Sequence, residues 1–213
     1  MIATETEARE FIGNLAEADE QGVTAKLETL ALALNNENGR QNLVSKSSLE
    51  DIWVRHFADS AQLLNHVSRE TTGTWVDLGS GAGFPGLVVS ILKPNEKLIL
   101  IESRRKRVEW LQTMVDTLQL PNCEIIGSRL ELVENFPAKV ISARAFAPLP
   151  KLLRLSARFS TGATTWVLPK GRSATQEVEE LSPKLKSMFH VQQSVTDADA
   201  GIVVGHGKIG TGK

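Results

Sequence analysis

The segment Val76-Asp77-Leu78-Gly79-Ser80-Gly81-Ala82-Gly83-Phe84-Pro85-Gly86 places an acid and then three glycines, each two residues apart, behind a short apolar run. Glycine has no Cβ, so such a turn lets the backbone approach a ligand without steric conflict. Pro85 suits the first position of a following helix, where its missing N–H would be unpaired anyway. Glu102 ends the next apolar run, 19 residues after Gly83. A carboxylate there can accept hydrogen bonds from both hydroxyls of a ribose. Turn and acid together specify a nucleoside-containing cofactor.

Two cofactors compete for this pattern. Gly81-x-Gly83-x-x-Gly86 formally satisfies a dinucleotide fingerprint, which alone is a weak signal. Asp77-x-Gly79-x-Gly81-x-Gly83 is the first motif of S-adenosylmethionine methyltransferases, in which the acid helps hold the methionine end of the cofactor. The local pattern favours S-adenosylmethionine.

The elements that must carry these residues read as follows. Helices are expected over 4–20 and 23–35, the second with Leu27, Leu30, Ala31 and Leu34 at helical spacing. A third begins at Ser47, where Ser47-Ser48-Leu49-Glu50 has the form of a capping box. Strand and helix then alternate: strand 74–78, helix from Pro85, strand 97–101, helix 103–120, strand 124–126, a short helix near 130–134 and strand 140–144. Helix 149–159, strand 164–168, helix 175–186 and two strands, 189–195 and 201–207, complete the chain, the last two as an antiparallel edge. The alternation means an α/β, Rossmann-like, mostly parallel sheet with helices on both faces. Residues 1–70 form an N-terminal helical extension packed on the core, and 71–213 the cofactor-binding domain, as one structural unit.

Composition bounds the function. The 213 residues are 41% hydrophobic and 23% charged, which suits one globular domain. No apolar run is long enough for a transmembrane helix, the acidic start is unlike a signal peptide, and the single cysteine, Cys123, excludes a disulfide framework. A cytoplasmic enzyme or binding domain, monomeric and without membrane contact, is the expectation. Residues 1–38 hold eight acids against two bases, whereas 139–186 hold nine bases against three acids. A basic half on a near-neutral chain can attract a polyanion.

Several further segments are Gln41-Asn42-Leu43-Val44-Ser45, Val54-Arg55-His56-Phe57-Ala58-Asp59-Ser60, Glu102-Ser103-Arg104-Arg105-Lys106-Arg107, Ile141-Ser142-Ala143-Arg144-Ala145-Phe146-Ala147 and Leu168-Pro169-Lys170-Gly171. With the glycine turn, their order and spacing from about residue 40 to 172 resemble the RsmG (GidB) family of bacterial methyltransferases. That resemblance implies a class I methyltransferase fold and methyl transfer from S-adenosylmethionine to N7 of a guanosine in 16S ribosomal RNA, or in the small ribosomal subunit. It further implies that Gly79, Phe84, Leu130, Glu131 and Arg144 contact the cofactor, beside Asp77, Gly81, Gly83 and Glu102 from the turn itself.

Guanine N7 is an unprotonated acceptor. Its lone pair can attack a sulfonium methyl directly, so no general base is needed and catalysis is mostly alignment, which can supply about 7–11 kcal/mol. No Ser-His-Asp arrangement or carboxylate dyad is legible. Arg144 is the leading candidate for positioning substrate or the cofactor carboxylate. Arg55 and His56 are expected near an RNA-facing rim, with Arg55/Asp59 and His56/Ser60 as same-face neighbours of one helix. Arg104, Arg105, Lys106 and Arg107 open a helix where positive charge is mildly unfavourable. With Lys151, Arg154, Lys170 and Arg172 they are candidate phosphate ligands. No metal is expected, since His66, His190 and His206 stand alone.

Trp53, Trp75, Trp110 and Trp166 read as core, and no aromatic stacking platform is evident. The tail Gly207-Lys208-Ile209-Gly210-Thr211-Gly212-Lys213 ends like a P-loop by chance, lacking the helix that motif needs. Two other readings stay open. An NAD(P)-dependent reductase fits the glycines, but the chain has no tyrosine for a Tyr-Lys pair. A non-catalytic ribosome-binding module would not require the intact cofactor residues.

Overall fold

The computed structural model describes residues 1–17 and 19–210. Seven strands form one sheet: β1 (Trp75–Leu78), β2 (Leu98–Glu102), β3 (Cys123–Gly127), β4 (Ala138–Ser142), β5 (Ser160–Gly171), β6 (Phe189–Gln193) and β7 (Gly201–His206). Their order is β3-β2-β1-β4-β5-β7-β6. The pairings among β1 to β5 are parallel, while β7 runs antiparallel to both β5 and β6. The last two strands form the antiparallel edge expected from sequence, with β7 inserted beside β5 and β6 outermost.

Period-two alternation divides the core. Leu98 and Leu100 face one side of the sheet, with Trp75, Val140, Val167 and Ile202. Ile99 and Ile101 face the other, with Val76, Leu78, Ile141, Trp166 and Leu168. The first side is covered by α1 (Glu5–Leu15), α2 (Glu20–Gln41), α5 (Gly86–Leu92) and α6 (Arg105–Thr117), and the second by α7 (Leu149–Ser156) and α8 (Ala174–Glu179). All four tryptophans are buried.

Local chemistry explains where the helices depart from expectation. The capping box forms at Thr4, whose hydroxyl accepts from the Glu7 amide while Glu7 accepts from the Thr4 amide. At the third helix the cap is Ser45, not Ser47: its Oγ accepts from the Ser48 amide at 3.2 Å, and α3 (Lys46–Glu50) is only one turn long. A π-helical segment follows at Trp53–Ala58, then α4 (Asp59–Ala61) and a 3₁₀ turn at Gln62–His66. Pro85 is the N-cap of α5 and not its first residue. The expected helix over 175–186 is two, α8 and α9 (Pro183–Lys186), because Pro183 can begin a helix but not continue one. No helix among the described residues is long and apolar enough to cross a membrane. The P-loop-like ending lies partly outside the described residues.

Candidate active site

Two cavities open at the carboxyl ends of the parallel strands, where the order reverses between β1 and β4, which is where open α/β sheets bind ligands. The smaller, about 260 Å³, is lined by Gly79, Glu102, Arg104, Arg107, Leu130 and Phe146 among others. The larger, about 690 Å³, is lined by Arg55, His56, Asp59, Arg144, Phe146 and Asp197 among others. Ala145 and Phe146 line both and form the wall between them.

The small cavity is built by the glycine turn. Gly79, Gly81 and Gly83 all have positive φ, at 66°, 57° and 104°, in the left-handed region that side chains resist. A Cβ on Gly79 would run into the Phe146 ring, and one on Gly83 into Leu87. Asp77 fixes the turn from below. It is fully buried; Ser142 Oγ donates to its Oδ1 at 2.9 Å and the Gly86 amide to its Oδ2 at 3.2 Å. Burial pushes its carboxyl up to about 6, against the opposing pull of the Ser80 and Ser142 hydroxyls. Direct contact of Asp77 with a ligand is therefore not what this geometry offers; it acts through the shape of the turn.

The same bond bears on the choice of cofactor. The amide that opens α5 is engaged by the Asp77 carboxylate, so the helix start is not free to bind a pyrophosphate. Glu102, at the end of β2, accepts from the Gly81 amide at 3.0 Å and from the Ser103 and Arg104 amides at 2.7 and 2.8 Å. This ties the turn to the loop that follows β2, and leaves part of the carboxylate's acceptor capacity for a ribose.

Other expected contacts sort differently. Leu130 lines the small cavity, but the exposed Glu131 does not. The Phe84 side chain reaches neither cavity wall; its ring is buried and stacks on His56, with centroids 4.7 Å apart. Arg107 turns back on the turn, its Nη1 lying 2.9 Å from where a Gly81 Cβ would sit. Arg104 also lines the cavity, while Arg105 and Lys106 project into solvent and Arg105 meets Glu109 at 2.9 Å.

In the larger cavity Arg144 is the hub. Its Nη1 lies 3.3 Å from Asp59 Oδ2, its Nη2 donates to His56 Nδ1 at 3.1 Å, and its Cζ sits 5.0 Å above the Phe84 ring. Burial, reinforced by Arg144 and Arg55, drops the His56 ring to about 3, so it is neutral. With Nδ1 accepting, the tautomer assigned from the network carries its proton on Nε2, 3.0 Å from Ser48 Oγ.

The helical pairings expected from sequence do not form. Arg55 pairs with Asp197 at 3.0 Å, Asp59 with Arg144, and the Ser60 hydroxyl donates to the His56 carbonyl and not to its ring. A π-helical turn under Arg55 and His56 removes the spacing on which those pairings relied.

Lys170 is likewise not a free phosphate ligand. Its side chain is 7% exposed, and Nζ donates to the Ala147 carbonyl at 2.6 Å and pairs with Glu177 at 3.0 Å. Burial pushes Glu177 up, but bonds from Ser173, Lys170 and the Leu149 amide outweigh it and hold the carboxyl below its ordinary value. Arg172 is exposed and paired with Asp199.

Two residues escaped nomination. Ala145 has φ 53°, a conformation that costs a non-glycine residue roughly 1–2 kcal/mol. Phe146 packs on the Gly79 backbone and supplies an aromatic wall to both cavities. The loop is pinned before them by Arg144 and after them by the Lys170–Glu177 pair, and its strained tip forms the partition. In the sequence they are marked by the run Arg144-Ala145-Phe146-Ala147 alone. Among the described residues no group of three or more His, Cys, Asp or Glu side chains converges as a metal site would require.

The comparisons fit this architecture. A family model described as rRNA small subunit methyltransferase G (GidB) matches residues 23–202. A protein of Erythrobacter litoralis named ribosomal RNA small subunit methyltransferase G is 62% identical over 211 residues, covering 99% of this chain and 100% of its own length. One of the same name from Novosphingobium aromaticivorans is 50% identical over 206 residues, covering 96% of this chain and 89% of its own. Among solved structures, an S-adenosylmethionine-dependent methyltransferase from Aquifex aeolicus shares the fold with a TM-score of 0.56 at 19% identity, covering 77% of this chain and 94% of that one.

Proposed function

The chain belongs to the GidB family of rRNA small subunit methyltransferases, and on that premise we propose that it transfers a methyl group from S-adenosylmethionine to N7 of a guanosine in 16S ribosomal RNA. The residues present suit that cofactor: an open glycine backbone at Gly79, Glu102 within reach of a ribose, and Leu130 as an apolar wall. S-adenosylmethionine supplies an electrophilic methyl when bound. The protein's own part is to align the base and to balance the positive charge that passes to the purine.

The observation that carries the N7 assignment is the state of the proton acceptors in the larger cavity. His56 Nδ1 takes a bond from Arg144, Asp59 takes bonds from Gln62, Thr196 and Arg144, and Glu177 takes three donors. Such committed groups are poor general bases, as is the less committed Asp197, whose carboxyl the Asp199 amide and Arg55 hold below its ordinary value, and N7 is a nucleophile that needs none. Arg144, held by Asp59 and set over the Phe84 ring in the wall of the larger cavity, suits an anionic group of substrate or cofactor. The exposed Arg104, Arg105 and Lys106 flank the smaller opening and suit RNA phosphates. Action in the cytoplasm, on naked RNA or the assembled subunit, follows from that substrate.

The reading is tested by titrating S-adenosylmethionine and NADH into the purified protein by calorimetry. N7-methylguanosine is then mapped in 16S RNA from a strain lacking the enzyme, before and after incubation with it. Micromolar binding of S-adenosylmethionine and one new N7-methylguanosine are expected. Binding of NADH alone, or methylation confined to another atom, overturns it.

A further inference from the structure

The larger cavity holds three carboxylates that differ in what they have left to offer. An ionised carboxylate has about four lone-pair sites. Glu177 receives Ser173 on one oxygen and Leu149 and Lys170 on the other. Asp59 receives Gln62 and Thr196 on one oxygen and Arg144 on the other. Among the described residues Asp197 has two donors, Arg55 on Oδ2 and the Asp199 amide on Oδ1, both at 3.0 Å. It is also the most open of the three, its side chain 29% exposed against 21% for Asp59 and 16% for Glu177.

Its position is fixed although it lies on a loop. The Gln62 carbonyl oxygen accepts from the Val195 amide at 2.8 Å, Thr196 donates to Asp59 at 3.0 Å, and the Ile2 amide donates to the Val195 carbonyl at 2.7 Å. The Gln193 amide closes the far side on the Asp197, Ala198 and Ala200 carbonyls. The Asp199 amide and the Arg55 guanidinium also hold the carboxyl below its ordinary value, so it is ionised near neutral pH and acts as an acceptor, not a base.

Of the RNA bases, guanine alone presents a ring N1–H and an exocyclic amino group side by side, a pair of parallel donors that matches one carboxylate. Adenine places a lone pair at N1 and is repelled. The N1/N2 edge lies across the purine from N7, so a base gripped there leaves N7 free for the methyl.

We propose that Asp197 is the specificity-determining residue of the larger cavity, accepting hydrogen bonds from N1–H and the N2 amino group of the target guanine while Arg55 steadies the carboxylate. This rests on the methyl transfer proposed above.

The test uses the full-length enzyme and 16S RNA assembled into subunits, with the mapped guanosine either kept or replaced by inosine, which lacks only the N2 amino group. The wild type should slow on the order of 10- to 100-fold on inosine, the loss of one hydrogen bond to a charged acceptor. Asp197→Asn should lose a similar factor on guanosine and distinguish the two substrates less than about threefold, the matching bond being absent already. Its affinity for S-adenosylmethionine should be that of the wild type, which also verifies folding. Arg55→Gln removes the ion pair alone and should keep the inosine penalty. Wild-type discrimination in Asp197→Asn, or its loss in Arg55→Gln, overturns the proposal. A wild type that binds S-adenosylmethionine yet methylates no guanosine overturns the methyl-transfer reading, and this proposal with it.

Discussion

Arg144 donates to His56 Nδ1 across 3.1 Å although the two residues are 88 positions apart, and the bond makes the histidine an acceptor that cannot be protonated without losing it. The ring is 6% exposed, and burial with two neighbouring guanidinium groups holds it near 3.

A pH dependence of stability follows, with a sign that can be worked out. Between about 3 and the ordinary 6.5 the unfolded chain binds a proton at His56 that the folded chain does not, so acidification through this window destabilises the fold. Asp77 works in the opposite direction: its raised carboxyl, near 6, favours the folded state as pH falls from 6 toward 3.8. Thermal unfolding of His56→Gln between pH 7 and 5 should therefore show a smaller acid loss than the wild type, or a gain. Equal slopes for the two proteins would show that His56 does not titrate this way.

Gly79→Ala should lower both stability and cofactor affinity. The left-handed φ alone costs roughly 1–2 kcal/mol for a side chain, and the new methyl would meet the Phe146 ring. Pairing it with Phe146→Ala should recover part of the loss in a double-mutant cycle of denaturant unfolding. Strict additivity would mean that the ring gives way freely.

Lys170→Met should be costly and yet leave RNA electrostatics alone. The pair with Glu177 is nearly enclosed, at 7% and 16% exposed, and breaking such a pair typically costs about 3–5 kcal/mol. Urea unfolding measures the first effect. The slope of log affinity for RNA against log salt measures the second, and a reduced slope would return Lys170 to the phosphate ligands.

Arg105→Gln with Lys106→Gln should do the reverse. Arg105 is 92% exposed and its pair with Glu109 lies at the surface, where such pairs contribute little. Melting temperature should hardly move, whereas each phosphate contact removed should lower the salt slope by roughly 0.7–0.9. An unchanged slope from 50 to 200 mM salt, about the range where such contacts are felt, would place the RNA on another face.

Replacing Asp77 separates shape from contact. Asp77→Ala strands the Gly86 amide and the Ser142 hydroxyl in the core, at about 1–3 kcal/mol for an unsatisfied buried group. Asp77→Asn can still accept one of these bonds and should be milder in both stability and S-adenosylmethionine affinity, read by unfolding and calorimetry. An alanine variant of wild-type stability that has lost cofactor binding would reassign Asp77 to direct contact.

The amino-acid sequence by itself determined the features whose cause is local. Short apolar runs in the parallel strands, the helical repeat of Leu27, Leu30 and Leu34, and the glycine turn with Glu102 behind it are all legible because neighbours within a few positions impose them. The same locality explains the errors at helix starts, where Ser45 and Ser47 offer nearly equivalent caps, and at Trp53–Ala58, where a π-helical turn has no distinct repeat of its own.

The site was decided by tertiary structure. Arg55 could pair with Asp59 on its own helix, yet it meets Asp197, 142 positions away. Lys170 carries the charge of a phosphate ligand and spends it on Ala147 and Glu177. Phe146 reads as one more apolar side chain until β4 and the turn after β1 bring it onto Gly79. Charges and aromatic rings carry no address in the sequence. Their partners are chosen when the sheet order sets the ends of β1, β4 and β5 side by side, and burial then makes each choice expensive to leave unmade.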